Sequence, residues 1–366
     1  MIEQDDVIIH FWQNIIDQAI LAKASDIHVE PENGVSHIRL RVDGRLSHLS
    51  SSPAHWHERI ASRIKILARL DIAEKRLPQD GQMQAVATHH EHPVSCRIST
   101  LPTVHGEKIV VRLLNQQAND LDIHQIGLTQ QQLNDLLNCL DRTQGMILVT
   151  GPTGSGKTKT LYSCLKYLRD GSRNITSIED PVEIPLAGIN QVPINEKTGL
   201  RFDVALRALM RQDPDIIMVG EIRDSETAKI ALQASETGHL VLATVHANDA
   251  PSAISRLQQL GCSKNQIANN VSCITAQRLV RIFCASCRLN ETRTCEQCHG
   301  SGFDGRKAVH QVMPITDIVQ EMIEQERSIG EIKSHLQHDG ILTLRQSAQL
   351  LVAKNQTSFE EVKGLQ

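Results

Sequence analysis

Ile8, Trp12, Ile15, Ile16, Ala19 and Ile20 recur at helical spacing, so the chain opens on an amphipathic helix that ends at SDIHVEP. Ile38, Leu40 and Val42 then alternate with Arg39 and Arg41, the period of a strand with one buried face, and Asp43-Gly44 marks a two-residue hairpin. A second helix carries Ile60, Ile64 and Leu67, and the runs VSCRIST and EKIVVRLL supply further strands up to about residue 114. Residues 1–115 therefore read as a small α/β domain, and the mostly polar residues 116–124 as the linker after it.

The pattern changes over residues 125–366. Four apolar runs, MILVT, ITSIED, DIIMVGE and HLVLATVH, alternate with helical stretches, the arrangement of a parallel sheet covered by helices. The fold class is α/β throughout, with no internal repeat and no low-complexity tract.

The first of these runs leads into Gly151, Pro152, Thr153, Gly154, Ser155, Gly156, Lys157 and Thr158, which satisfy G-x-x-x-x-G-K-[ST] between a strand and a helix starting near Lys157. The glycines let the backbone curl so that successive N–H groups face phosphate oxygens, and the helix N-terminus adds partial positive charge. Lys157 is placed to reach the β and γ phosphates, and the Thr158 hydroxyl to hold Mg²⁺. No guanine-reading motif follows, so ATP is the expected nucleotide.

Hydrolysis also needs a carboxylate to orient water. Glu179 closes ITSIE and Glu221 follows DIIMVG, both at strand C-termini, where open α/β sheets place their ligands, and either can serve as the base. His239 and His246 bracket a third strand seven residues apart, so at most one faces the site unless one lies beyond the strand end.

Composition narrows the partners. With 38 Lys and Arg against 42 Asp and Glu and only nine aromatic residues, the chain has neither an obvious basic face nor stacking platforms for nucleic acid. No apolar run approaches the roughly 18–20 residues that span a bilayer, and the start MIEQDDVIIH is acidic where a signal peptide is basic. A cytoplasmic protein without a transmembrane segment is expected. Cys284-x2-Cys287-x7-Cys295-x2-Cys298 supplies two chelating pairs that can close a tetrahedral Zn²⁺ site within residues 284–298. Cys96, Cys139, Cys164, Cys262 and Cys273 read as small core residues.

These residues stand among longer matches: SDIHVEP, RLRVDGRL, LDIAEKRLPQDG, RISTLPTVHGEKIVVRLL, EDPVE at Glu179–Glu183, LMRQDPDIIMVGEIRDSETA, TGHLVLATVHANDA and GSGFDGR at Gly300–Arg306. Together they cover nearly the whole chain, which resembles the secretion and pilus traffic ATPases, the hexameric motors of type II secretion systems and type IV pili. The resemblance implies a PAS-like N-terminal domain, a RecA-like ATPase domain with a zinc insert, and a homo-hexamer acting through an inner-membrane platform protein at the inner face of that membrane. It implies Glu221 as general base, EDPVE as an Asp box, His246 and with it His239 as γ-phosphate sensors, and Arg97 as an arginine supplied to the ATP site.

The chain departs from the family pattern at two places, Gln82 where a second arginine is usual and Lys159 in the helix's first turn. A docking domain before the PAS-like one is also absent from these 366 residues. Because assembly and secretion members of the family it resembles carry such a tetracysteine and retraction members tend to lack it, the resemblance implies assembly over retraction. The competing readings are a nucleotide-gated regulator with weak turnover, a retraction motor, and a nucleic-acid translocase that uses the cysteine knuckle as a handle.

Overall fold

The computed structural model describes residues 2–88, 93–114, 121–288 and 295–365, the side chains of residues 2–5 excepted. Two compact units, Met1–Gln117 and Ala118–Gln366, divide the chain. Residues 116–120 of the expected linker lie outside the described residues, whereas Leu121 and Ile123 are buried in the core of the second unit.

In the first unit, helices α1 (Ile2–Leu21) and α2 (Ala54–Leu67) cover a six-stranded antiparallel sheet. Its strands are β1 (Asp26–Glu32), β2 (Val35–Val42), β3 (Arg45–Pro53), β4 (Gln79–Ala85), β5 (Val94–Thr103) and β6 (Gly106–Leu114), in the order β3-β2-β1-β6-β5-β4. Register explains the core: Ile27 faces Leu40 and Val111, and Val29 faces Ile38 and Ile109. All of these are buried with Trp12, Ile15, Ile16, Ile60 and Ile64. The Asp43-Gly44 turn is present, with Val42 paired to Arg45 and both turn residues at positive φ. The polar run QDGQMQA was not read as a strand; it forms the edge strand β4, burying only Met83 and Ala85.

The second unit carries α3 (Gln130–Leu140), β7 (Gly145–Thr150), α4 (Lys157–Leu168), β8 (Ile175–Glu179), β9 (Asn190–Pro193) and α5 (Phe202–Leu209). It continues with β10 (Ile216–Val219), α6 (Ser225–Glu236), β11 (Leu240–Val245), α7 (Ala250–Gln259) and α8 (Lys264–Asn270). The hairpin β12 (Val271–Phe283) and β13 (Phe303–Pro314) follows, then α9 (Asp317–Glu324), α10 (Ile329–His338), α11 (Leu344–Ala353) and α12 (Phe359–Val362). The sheet order is β13-β12-β7-β11-β10-β8-β9, parallel except for the antiparallel β12-β13 pair. Strands β7, β8, β10 and β11 are buried at every residue, as a sheet covered on both faces requires. Their C-terminal ends open onto one edge, where the chemistry gathers.

His310 on β13 is fully buried where α3 and α11 meet the hairpin: its carbonyl accepts from Gln132 Nε2 at 2.7 Å and Ser347 Oγ at 2.6 Å. Its Nε2 lies 2.9 Å from the Ile126 carbonyl, and its Nδ1 has no partner among the described residues. Burial drives the imidazole from 6.5 down to about 4, against the Ile126 carbonyl, which raises it. The unfolded chain therefore binds this proton more readily, so the stability is complete above pH 6.5 and is lost as pH falls towards about 4, a contribution of about 3 kcal/mol. Urea unfolding at pH 7.5 and pH 5 should differ by about 2 kcal/mol more in the wild type than in His310→Gln. An equal difference in both proteins would refute the assignment.

Candidate functional site

The turn between β7 and α4 is shaped by backbone that only glycine tolerates well. Gly151 has φ 149° and Gly156 φ 89°, and a Cβ on Gly151 would sit 2.5 Å from the Gln277 carbonyl and 2.6 Å from Ser155 Oγ. A Cβ on Gly156 would meet Gln277 Nε2 at 2.8 Å. Gln277, in the middle of β12, is thus the wall against which the loop is pressed. Its Nε2 donates to the Ser155 carbonyl at 2.7 Å, and its Oε1 accepts from Thr160 Oγ1 at 2.7 Å, one turn into α4.

Lys157 Nζ donates to the loop carbonyls of Gly151 and Pro152 at 2.8 and 3.1 Å. Burial lowers its pKa, the nearby Glu221 charge opposes this, and Arg278 adds to the lowering. Lys157, Glu221 and Arg278 therefore share one electrostatic neighbourhood. Thr158 is exposed beside Lys157, and the first amides of α4 have no carbonyl of their own helix to bond. A cup of N–H donors, an ammonium and a hydroxyl fits the phosphates of a nucleotide with Mg²⁺.

Glu221, one residue beyond Gly220 at the end of β10, is hydrogen-bonded by Arg223 and lies 3.8 Å from His246 Nε2. Thr244 Oγ1 donates to the Gly220 carbonyl at 2.6 Å, and the Ile222 amide to the Thr244 carbonyl at 2.8 Å, so β11 holds the Glu221 segment in place. The loop after β11 is tied to the phosphate strand in turn: Thr150 Oγ1 donates to the Ala247 carbonyl at 3.1 Å and accepts from the Ala247 amide at 2.7 Å. Arg278 donates to the Asn248 carbonyl at 2.7 Å.

Both histidines lie outside β11, at opposite ends. His246 reaches Glu221, whereas His239 bonds the Ala234 carbonyl through Nδ1 at 2.9 Å, a six-residue strand away. The structure thus brings His246, and not His239, to the site. Glu179 is buried and bonded by Tyr162, by Ser177 Oγ at 2.5 Å and by Gln191 Nε2 at 3.1 Å.

Arg97 belongs to the first unit, on β5, where register sets it between Gln82 on β4 and Arg112 on β6. Arg112 donates through Nε to Asp26 Oδ1 at 2.9 Å. In the sequence Arg112 is marked by its place in the alternation of EKIVVRLL and by nothing that pairs it with Arg97. Gln277 and Arg278 lie far from the phosphate loop in sequence and reach the site through strand pairing, so no local motif marks them.

The four cysteines close at the end of the β12-β13 hairpin. Their sulfurs all lie within 4.8 Å of one another, with Cys284–Cys295 at 3.8 Å and Cys287–Cys298 at 3.7 Å. A tetrahedron with Zn–S bonds of about 2.3 Å has S–S edges of about 3.8 Å, so the donor set fits zinc. Burial raises the Cys298 thiol, but the Gly302 amide, Cys295 and Cys287 prevail and bring it down to about 7. Arg281 is paired with Glu361 and lies 4.1 Å over the Phe303 ring. That cation and that ring are engaged with each other and with Glu361 within the fold. Arg293 and the rest of residues 289–294 lie outside the described residues. The other five cysteines are buried free thiols, as expected of core residues.

Residues 2–364 match the family described as Type II/IV secretion system protein. The chain is 43% identical over 360 residues to type II secretion system protein HxcR of Pseudomonas aeruginosa, covering 97% of this chain and 76% of that one. It is 40% identical over 385 residues to the type IV pilus assembly ATPase PilB of Myxococcus xanthus, covering 98% of this chain and 68% of that one. The solved structure titled pilus retraction motor PilT with bound ADP superposes with a TM-score of 0.65 at 26% identity, covering 97% and 96%. Phosphate loop, strand-end carboxylate and tetracysteine thus occur in a chain similar along its length to these proteins, and the chain belongs to the Type II/IV secretion system family as one of its ATPases.

Proposed function

We propose that the chain forms a hexameric ring whose ATP hydrolysis drives assembly of a type IV pilus or a type II secretion pseudopilus through an inner-membrane platform protein. The observation that carries this reading is the meeting of the phosphate loop, Glu221 and His246 at one edge of the parallel sheet. The loop amides and Lys157 hold the β and γ phosphates, and the Thr158 hydroxyl would hold Mg²⁺, which when bound would supply charge neutralisation at the phosphoryl oxygens. Glu221 takes the proton of the attacking water, and His246 beside it bonds the γ-phosphate. Arg97, from a neighbouring subunit's first unit, adds positive charge, which makes turnover depend on the ring.

Assembly is favoured over retraction because the secretion and assembly proteins match at 40 to 43% identity and the retraction motor at 26%. The four thiolates hold one Zn²⁺, a structural role for a closed four-ligand site. No helix among the described residues is long and apolar enough to cross a membrane, which fits a motor held at the inner face by its platform. Hydrolysis by the assembled protein should fall about a hundredfold or more in Lys157→Ala, which loses the ammonium on the transferring phosphoryl group. A wild-type rate equal to that of Lys157→Ala would establish the nucleotide-gated regulator instead.

A further inference from the structure

Two carboxylates end strands of the central sheet, and their surroundings differ. Glu221 sits at the open edge beside His246 and Arg223. Glu179 is enclosed: Tyr162 donates to its Oε2, while Ser177 Oγ and Gln191 Nε2 donate to its Oε1. An ionised carboxylate offers about four acceptor positions, and three here are taken by side chains in a pocket that leaves Glu179 only 3% exposed. A base must present a free lone pair to water, and this geometry leaves Glu179 poorly placed to do so.

The partners of Glu179 point elsewhere. Tyr162 lies on α4, five residues beyond Lys157, and its side chain is completely buried. Its hydroxyl also accepts from the Glu183 amide at 3.3 Å. Gln191 on β9 donates to the Ile184 carbonyl at 3.1 Å and accepts from the Leu186 amide at 2.7 Å. Three backbone groups of the segment after β8 thus hang on two side chains that share the Glu179 carboxylate. The two carboxylate segments are tied by geometry: the Gly220 amide, next to Glu221, donates to the Ile178 carbonyl, next to Glu179, at 2.8 Å.

We propose that Tyr162, Glu179 and Gln191 form a linkage through which the phosphate-loop helix sets the position of the Asp180–Leu186 segment, and through the β8–β10 pairing at Ile178 and Gly220 that of Glu221. Glu179 is then a positioning residue and Glu221 the base. Any shift of α4 as Lys157 engages phosphate is passed through the buried Tyr162–Glu179 bond to β8, and from β8 to the segment that carries the base. This inference rests on the reading of Glu221 given above.

Steady-state ATP kinetics on the assembled full chain test it, with thermal melting to establish that each variant is folded. Tyr162→Phe removes one hydroxyl and should lower kcat about tenfold with the ATP KM within about twofold, the signature of an effect on the reacting state and not on binding. Glu179→Gln should show the same split. The double variant should be no slower than the slower single one, because both act through one linkage. Glu221→Gln should be slower than all of these by a further factor of about ten or more. If Tyr162→Phe does not fold, Gln191→Leu interrupts the linkage from the other side and should give the same split.

Wild-type kcat in Tyr162→Phe and Gln191→Leu would overturn the inference, as would multiplying losses in the double variant. Glu179→Gln as inactive as Glu221→Gln would overturn it as well. A wild-type ring without turnover is a separate result, because it defeats the proposed function first and this inference only with it.

Discussion

Glu221→Gln should lower the kcat for ATP hydrolysis by about 10² to 10⁴ while leaving the ATP KM within about twofold. The substitution keeps the volume of the side chain, so the segment tied by Thr244 to Gly220 and Ile222 should be undisturbed. It removes the carboxylate at the open edge that reaches His246. Arg223 loses its carboxylate partner, but its guanidinium is largely exposed, so the change costs little stability. Melting at an unchanged temperature with lost turnover is the expected pair of results. An unchanged rate would remove Glu221 from the role of base.

The second large effect is at the cysteines. Cys284→Ser with Cys287→Ser should eliminate about one bound Zn²⁺ per chain, measured by metal analysis, and lower the melting temperature by about 10 °C or more. The reason is local: Cys284 and Cys298 are buried, and the Cys284 amide bonds the Gly302 carbonyl at 2.9 Å, so the sulfurs form the core of the hairpin end. Phe283 and Phe303 pack at 5.4 Å between ring centroids just below them, too little apolar surface to hold the end closed alone. Zinc retained in the double variant would sink the four-thiolate site.

What the sequence revealed and what it hid follow from how each feature is encoded. The phosphate loop and the cysteines are contiguous or closely spaced, so residue types and spacing suffice to find them. The buried strands β7, β8, β10 and β11 are apolar runs ended by a polar or glycine residue and are equally readable. By contrast β4 is a polar edge strand, and β12 mixes Gln277, Arg278 and Arg281 into its apolar residues, so neither stands out by alternation. Gln277, Arg112, Tyr162 and Gln191 owe their positions to register and packing between distant segments, which no local pattern contains. The histidine question turned on where a single strand begins and ends: with β11 confined to Leu240–Val245, the two rings face different ends of the sheet.

The long strand β12 has a mechanical side. Gln277, which clasps the phosphate loop, and Cys284, the first of the thiols, lie along one continuous run, about 23 Å apart at the rise of an extended chain. Cys273–Ala276 are paired on both flanks, whereas Gln277–Phe283 are paired with β13 alone and carry a register shift between Arg281 and Phe283. The cysteine end and the nucleotide end therefore lie along one hairpin strand, joined by its one-sided half. Hydrogen exchange along residues 277–283 reads it directly: stripping the metal should loosen these amides progressively from the Phe283 end towards Gln277.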